Sequence, residues 1–314
     1  MSGKSTASPA PRTGRPAWLR VQIPHGDTYF RLKRLLRRQD LHTVCESANC
    51  PNIGECWSRG TATIMILGNI CTRSCGFCDV RTGRPFAVDP GEPGRVAETV
   101  HTMGLRYAVI TSVDRDDLED GGAAIWAATI REVKKRNPDC PVEALIGDFR
   151  GSEPCLETVL AAAPDVLAHN VETVPRLHPA VRPQGKYRRA LELLGRARRA
   201  GFITKTSLIL GLGEREEEII EVLEDLRGVD CQILTLGQYL RPSPEHLPIE
   251  KYYRPEEFDR LGAAARAMGF PHVASGPLVR SSYLAETHFD RLKTSRGSAP
   301  DPIGSAQQYH GSVR

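Results

Sequence analysis

Cys71, Cys75 and Cys78 follow the spacing C-x3-C-x2-C, directly after the apolar run from Thr61 to Gly68. Three thiolates are one short of the four protein ligands that close a structural zinc site. On a cubane iron–sulfur cluster they leave one iron open to a ligand from outside the protein. A second set, Cys45, Cys50 and Cys56, lies just upstream with spacing C-x4-C-x5-C. Two three-thiolate sets within 34 residues predict two clusters and an enzyme of redox chemistry. Gly76 leaves the tight loop room to fold around a cluster, and Phe77 is placed to shield it. The chemical rival is a shared zinc site drawing thiolates from both sets.

Composition narrows the setting. Nine cysteines without a secretory pattern argue for metal binding over disulfides, in a reducing, cytoplasmic compartment. Cys140, Cys155 and Cys231 stand singly and read as small buried hydrophobes. The 42 Lys and Arg against 38 Asp and Glu leave a net charge of +4. That excess does not call for nucleic acid, though it suits an acidic protein partner. No apolar run approaches the length of a membrane span. Residues 1–17 have no apolar core of a signal peptide. Residues 1–15 read as disordered and 294–314 as flexible.

The elements that must position these thiols alternate. Strands are expected at 62–67, 107–112, 142–147, 165–169, 203–210 and 231–236, with a short seventh near 272–275. Helices are expected at 92–104, 121–136, 153–163, 187–200, 214–227 and 255–268. Gly201, Gly228 and Gly269 sit at C′-like positions, and Pro255 with two glutamates opens the sixth helix. Six β-then-α units imply parallel strands with right-handed crossovers, a partial parallel (β/α)6 barrel of the TIM type. Residues 16–60 form an N-terminal extension, 61–275 the barrel, and 276–314 a C-terminal extension. A doubly wound sheet is the alternative, but the glycine fingerprint after the first strand is missing. The thiols of 71–78 follow the first strand, where a parallel barrel builds its site. Residues 28–42 form a basic amphipathic helix, with Tyr29, Leu32, Leu35 and Leu36 on its apolar face.

The loop Cys71-Thr-Arg-Ser-Cys75-Gly-Phe-Cys78 resembles the signature of radical S-adenosylmethionine enzymes. The segment from Cys45 to Trp57 resembles the auxiliary-cluster motif of the lipoyl synthase family. Further stretches agree: Thr111–Leu118, His169–Pro175, Gly211-Leu-Gly-Glu214, Gly237–Leu240 and Arg280-Ser-Ser-Tyr283. The resemblance runs from about Pro16 to about Ala285. Gly147, where such proteins commonly carry proline, is a departure that touches no ligand.

The resemblance implies that Cys71, Cys75 and Cys78 hold a 4Fe–4S cluster whose open iron binds S-adenosyl-L-methionine. Reductive cleavage of the cofactor then gives a 5′-deoxyadenosyl radical that abstracts hydrogen from an unactivated C–H bond. It implies a second 4Fe–4S cluster on Cys45, Cys50 and Cys56, consumed as sulfur donor, with Ser282 as fourth ligand and Ser281 as the alternative. Two sulfurs enter at C6 and C8 of an octanoyl chain on a lysine of a carrier domain. That carrier is an acyltransferase subunit of a 2-oxoacid dehydrogenase or the glycine-cleavage carrier protein, and such domains are usually acidic. An electron donor such as flavodoxin or ferredoxin and a cluster-delivery protein are implied too. Around the cofactor, the expected contacts are Asn170, Glu172, Arg188, Lys205, Gly211, Gly213, Gln238 and Tyr239. Asp114, Asp116 and Asp117 read as a solvated, capping loop, and His169 as a hydrogen-bonded strand end. A methylthiotransferase also uses two clusters, but no separate RNA-binding segment is visible. A zinc protein binding nucleic acid through residues 31–38 is the rival of another class.

Overall fold

The strands lie side by side in one sheet in the order in which they occur in the chain. The computed structural model describes residues 14–20, 27–48, 50–58 and 61–297 of 314. Expectations for residues 1–13 and 298–314 lie outside them. The chain enters through α1 (Asp27–Arg38), β1 (His42–Thr43), α2 (Val44–Ser47) and α3 (Ile53–Ser58). Then come β2 (Thr63–Ile66), α4 (Glu92–Met103), β3 (Ala108–Ser112), α5 (Ala123–Arg136), β4 (Val142–Leu145), α6 (Glu153–Leu160) and β5 (Val166–Ala168). The second half runs α7 (His178–Val181), α8 (Tyr187–Arg199), β6 (Ile203–Leu210), α9 (Glu216–Gly228), β7 (Ile233–Gln238), α10 (Pro255–Ala267), β8 (His272–Ser275) and α11 (Ala285–Gly297).

Strands β2 to β8 are all parallel, and β1 joins β2 antiparallel at the edge. Edge strands β1 and β8 each have one neighbour, so the barrel is partial and open on one side. All four residues of β2 and all six of β7 are buried, as parallel strands covered on both faces require. The expected seventh strand is β8. Strand β1 was not foreseen, because two residues are too few to show a period.

Local chemistry sets the element ends. Asp120 accepts from the amides of Gly122 and Ala124 at 2.9 Å each. With Gly121 and Gly122 at positive φ, this delays α5 to Ala123. Pro255 opens α10, and Glu257 accepts from the Arg254 amide at 2.8 Å. Gly201 and Gly269 take the left-handed conformation behind α8 and α10. Gly228 does not: it is the last residue of α9, and Asp230 carries the positive φ of 54°. Helix α11 extends to Gly297, past residue 294, where composition suggested a flexible tail. It places Ala285 and Phe289 among Tyr107, Val166, Ile203 and Ile233, at the N-terminal ends of the strands. The lower half of the barrel is thus filled, and only the opposite end is left as a mouth.

After β8 the chain crosses the end of β7, with Gly276 N–H on Leu236 O at 3.1 Å and Gln238 N–H on Pro277 O at 3.3 Å. A Cβ at Gly237 would collide with the carbonyl oxygen of Val279. A backbone atom cannot swing aside as a side chain can. Gly237→Ala is expected to cost about 1–3 kcal/mol and to free the segment from Gly276 onward. Urea unfolding of the metal-free protein and limited proteolysis after Arg280 check this.

Candidate active site

Strand β2 ends at Ile66, and positive φ at Leu67 and Gly68 turns the chain across the barrel mouth. The loop that follows closes on itself. Cys71 N–H bonds to Arg81 O at 2.8 Å and Gly83 N–H to Cys71 O at 3.0 Å. It is strapped from two sides, by Gly76 N–H to Val181 O at 2.9 Å and Leu247 N–H to Gly76 O at 3.0 Å. A Cβ at Gly76 would stand 2.8 Å from the Leu247 side chain, which would have to shift to admit it. His246 Nε2 donates to Cys78 O at 3.1 Å. Cys71 Sγ accepts from the amides of Arg73 at 3.4 Å and Asp114 at 3.3 Å.

Arg73 ties the loop down. Its guanidinium grips Asp116 with two bonds, at 2.7 and 2.8 Å. It also meets Asp148 at 2.7 Å and Asp114 at 3.6 Å, with the Arg73 side chain 2% exposed. Asp148 is held in turn by Arg189 at 2.9 Å. Thr72 adds backbone and hydroxyl bonds to Asp114 O, at 3.1 and 2.9 Å. Asp114 and Asp116 are therefore not a solvated loop: they clamp the cysteine loop. Asp117 forms its own pair with Arg115 at 2.9 Å. An arginine inside a cysteine loop, with an Asp-Arg-Asp-Asp run elsewhere, was the available signal. The carboxylate of Asp114 fills the space a Cβ at Gly147 would need.

Cys71, Cys75 and Cys78 line one cavity of about 610 Å³, together with Cys50 of the other set. Such a volume is that of a small-molecule site. Burial pushes the thiols up, to about 11 at Cys75 and Cys45 and about 12 at Cys78, with Cys71 also raised. They are protonated near neutrality, so ligation to metal must release protons.

The auxiliary set stands on the N-terminal elements. Cys45 lies in α2, Cys56 in α3 and Cys50 between them, its amide on Cys45 O at 3.0 Å. Thr43 caps α2 by accepting from the Glu46 amide at 3.3 Å. Three long-range bonds bring the C-terminal segment here. Asn52 Nδ2 donates to Leu278 O at 2.7 Å, Thr61 Oγ1 to Glu286 at 3.0 Å, and Tyr283 Oη to Glu55 at 3.2 Å. Arg280 and Ser281 lie on the cavity wall. Ser282, the next residue, is half-buried and off that wall.

Of the expected cofactor contacts, Asn170, Glu172, Gln238 and Tyr239 reach the cavity. Glu172 has φ 72° and bridges to Leu208. Burial raises its carboxyl, against the pull of Arg182 and an Asn170 hydrogen bond. Gln238 is tied to backbone, donating to Leu210 O and Lys251 O at 2.9 Å each. Tyr239 Oη donates to Leu247 O at 2.9 Å.

Four residues lie elsewhere. Arg188 is exposed on the outer face of α8, because Tyr187, Ala190 and Leu191 take the inward positions. Arg182 stands in the cavity instead, its Nη1 on Asn170 O at 2.6 Å. It was missed because α7, which delivers it, spans four residues. Lys205 sits one inward step below Ser207, too deep in β6 to reach the mouth. It pairs there with buried Glu143 at 2.9 Å. Gly211 and Gly213 belong to a turn closed by Glu214, whose carboxylate accepts from Gly211 and Leu212 at 2.6 and 2.9 Å. His169 is hydrogen-bonded through Nδ1 to Ile146 O at 2.8 Å, and burial lowers it to about 4.

The residues present fit a polar cofactor beside a thiolate-held cluster. Asn170 Oδ1 is buried without a hydrogen-bond partner, and Arg182 borders the same space. Phe77, Ile209 and Tyr239 supply apolar wall. All nine cysteines are free. Among the described residues no three His, Cys, Asp or Glu side chains are gathered closely enough to hold a single metal ion.

A partial parallel barrel with three thiols at the C-terminal end of its first parallel strand defines the radical S-adenosylmethionine class, and the Radical SAM superfamily matches residues 65–226. Solved structures share the fold. Streptococcus suis SuiB bound to precursor peptide SuiA superposes with a TM-score of 0.55 at 12% identity, over 79% of this chain and 52% of that one. HydG, a maturase of the [FeFe]-hydrogenase, gives 0.54 at 17% identity, over 68% of this chain and 51% of that one. The chain thus spans about half the length of these two structures. The N-terminal domain of lipoyl synthase matches residues 3–50. Lipoyl synthase of Rubrobacter xylanophilus is 57% identical over 276 residues, 87% of this chain and 86% of that protein. That of Thermus thermophilus is 55% identical over 91% and 90%, and the mitochondrial lipoyl synthase of Nematostella vectensis 52% over 88% and 96%. The chain belongs to the lipoyl synthase family.

Proposed function

We propose that the chain is a sulfurtransferase that inserts two sulfur atoms, at C6 and C8, into an octanoyl chain amide-linked to a lysine of a lipoyl carrier domain. The observation that carries this reading is one cavity lined by all three thiols of one triplet and by Cys50 of the other, with the Arg280–Tyr283 segment drawn to the auxiliary set. Cys71, Cys75 and Cys78 would hold the first 4Fe–4S cluster, with S-adenosyl-L-methionine at its open iron. When bound, this pair supplies reductive cleavage of the sulfonium and abstraction of hydrogen from an unactivated C–H bond. Arg182 would take the cofactor carboxylate, and the unpartnered Asn170 Oδ1 would accept from its ammonium group. Phe77, Ile209 and Tyr239 keep the space poor in water, which protects the reaction from side paths.

The second cluster is a substrate that gives up its sulfur. Cys45, Cys50, Cys56 and a serine, Ser282 or Ser281, would present it. A serine oxygen is a harder and weaker ligand for such iron than a thiolate, which eases dismantling. The carrier is an acyltransferase subunit or the glycine-cleavage carrier protein. A one-electron donor such as flavodoxin or ferredoxin and a cluster-delivery protein serve the two sites. Nine cysteines with two metal-type spacings fit a reducing compartment, the cytoplasm in a bacterium. Among the described residues no helix is long and apolar enough to cross a membrane.

The test is lipoyl formation on an octanoylated carrier by protein reconstituted anaerobically, followed by mass spectrometry. Ser282→Ala is expected to lose sulfur insertion at least tenfold while cofactor cleavage persists, with Ser281→Ala little changed. The reverse pattern moves the ligand to Ser281. Full insertion by both variants, and by the double variant, removes the serine from the mechanism.

A further inference from the structure

We propose that the outer face of α1 is a docking surface for an acidic protein domain. On the functional reading above, that domain is the carrier that presents the octanoyl-lysine. Leu32 and Leu36 are buried, which fixes how the helix lies. The opposite side carries Arg31, Arg34, Arg37 and Arg38, all exposed, and Phe30 at its head is 52% exposed. Arg31, Arg34 and Arg37 follow one another at i,i+3, and Arg34 stands at i,i+4 to Arg38. Like charges at these spacings repel. Lys33 is compensated by Glu46 at 3.4 Å, whereas among the described residues no carboxylate pairs with any of the four arginines. The helix dipole accounts for Arg37 and Arg38 in the last turn. It does not account for Arg31 and Arg34.

Position points the same way. The Lys33–Glu46 pair joins α1 to α2, and Val44 and Ala48 at the two ends of α2 line the cavity. The arginine strip therefore stands one helix back from the reaction space. Exposed arginines beside an exposed aromatic residue are the composition of a protein interface. A positive field there speeds encounter with an acidic partner and fixes its orientation.

The experiment compares two substrates on the reconstituted enzyme: an octanoylated carrier domain and a short octanoyl-lysine peptide. In the variant Arg31→Gln/Arg34→Gln/Arg38→Gln, the KM for the carrier is expected to rise at least tenfold and lose most of its salt dependence. Turnover of the peptide and iron content stay unchanged. Phe30→Ala alone is expected to raise the carrier KM severalfold. Carrier affinity is also read by titration calorimetry, so the surface is judged even if no lipoyl forms and the functional reading falls. An unchanged carrier KM and affinity overturn the proposal. So does an equal loss on carrier and peptide, or a loss confined to repeated turnovers supported by a cluster-delivery protein.

Discussion

Replacing Cys71, Cys75 and Cys78 together by alanine is expected to leave a protein that loads one cluster and cleaves no S-adenosyl-L-methionine. Wild type should carry about eight irons and the variant about four, if each triplet holds its own cubane. The two sets rest on different supports: one loop is clamped to β3 and β4, the other stands on α2 and α3. Loss of one need not unravel the other. The matching variant at Cys45, Cys50 and Cys56 should keep cofactor cleavage and lose sulfur insertion. Iron, sulfide and zinc per chain, with cofactor cleavage under chemical reductant, decide the matter. Zinc without sulfide, or loss of all iron from either variant, would contradict two independent clusters.

Arg73→Gln is expected to be nearly as damaging, by a different route. The substitution strands Asp148, 1% exposed, with Arg189 as its remaining charged partner, and leaves Asp116 and Asp114 facing one another's charge. Breaking a buried ion pair from one side costs about 3–5 kcal/mol. In metal-free protein this should lower Tm by roughly 5–15 °C. Arg73→Lys should recover only part, since an ammonium cannot make the paired bonds to Asp116. The effect also has a pH signature. Burial alone would raise the Asp148 carboxyl, but Arg73 and then Arg189 more than reverse this and hold it below the usual carboxylate range. A depressed folded value means stability that is present above the ordinary aspartate range and lost as pH falls through the folded value. The gap in Tm between wild type and Arg73→Gln should therefore be widest near neutrality and narrow in acid. A gap independent of pH would show that Arg73 acts by packing alone.

The barrel was legible because parallel strands leave continuous apolar runs and their helices leave a 3.6-residue period. Ile64–Ile66 and Val166–Ala168 show the first, and α8 and α10 the second. The six thiols were legible because their spacing is local. Residues that act across the fold were not. Arg182 directly follows a four-residue helix with no period to read. Asp148 meets Arg73 only because the sheet order sets β2, β3 and β4 side by side. Depth along a strand was hidden too. Lys205 and Ser207 share the inward side of β6, yet only the latter reaches the mouth. Two-residue parity tells which side a residue faces, not how far up the barrel it stands.

The bond from Tyr283 to Glu55 spans 228 residues of chain. At about 5–20 residues per second of synthesis, that separation is on the order of ten to forty seconds. The loop around Cys71 has its clamp as soon as β4 and Asp148 have emerged. The auxiliary site has its last wall only when residues 278–286 have emerged. Chain order thus sets a sequence of supports: the Asp148 clamp on the Cys71 loop is available long before the C-terminal wall beside Cys45, Cys50 and Cys56.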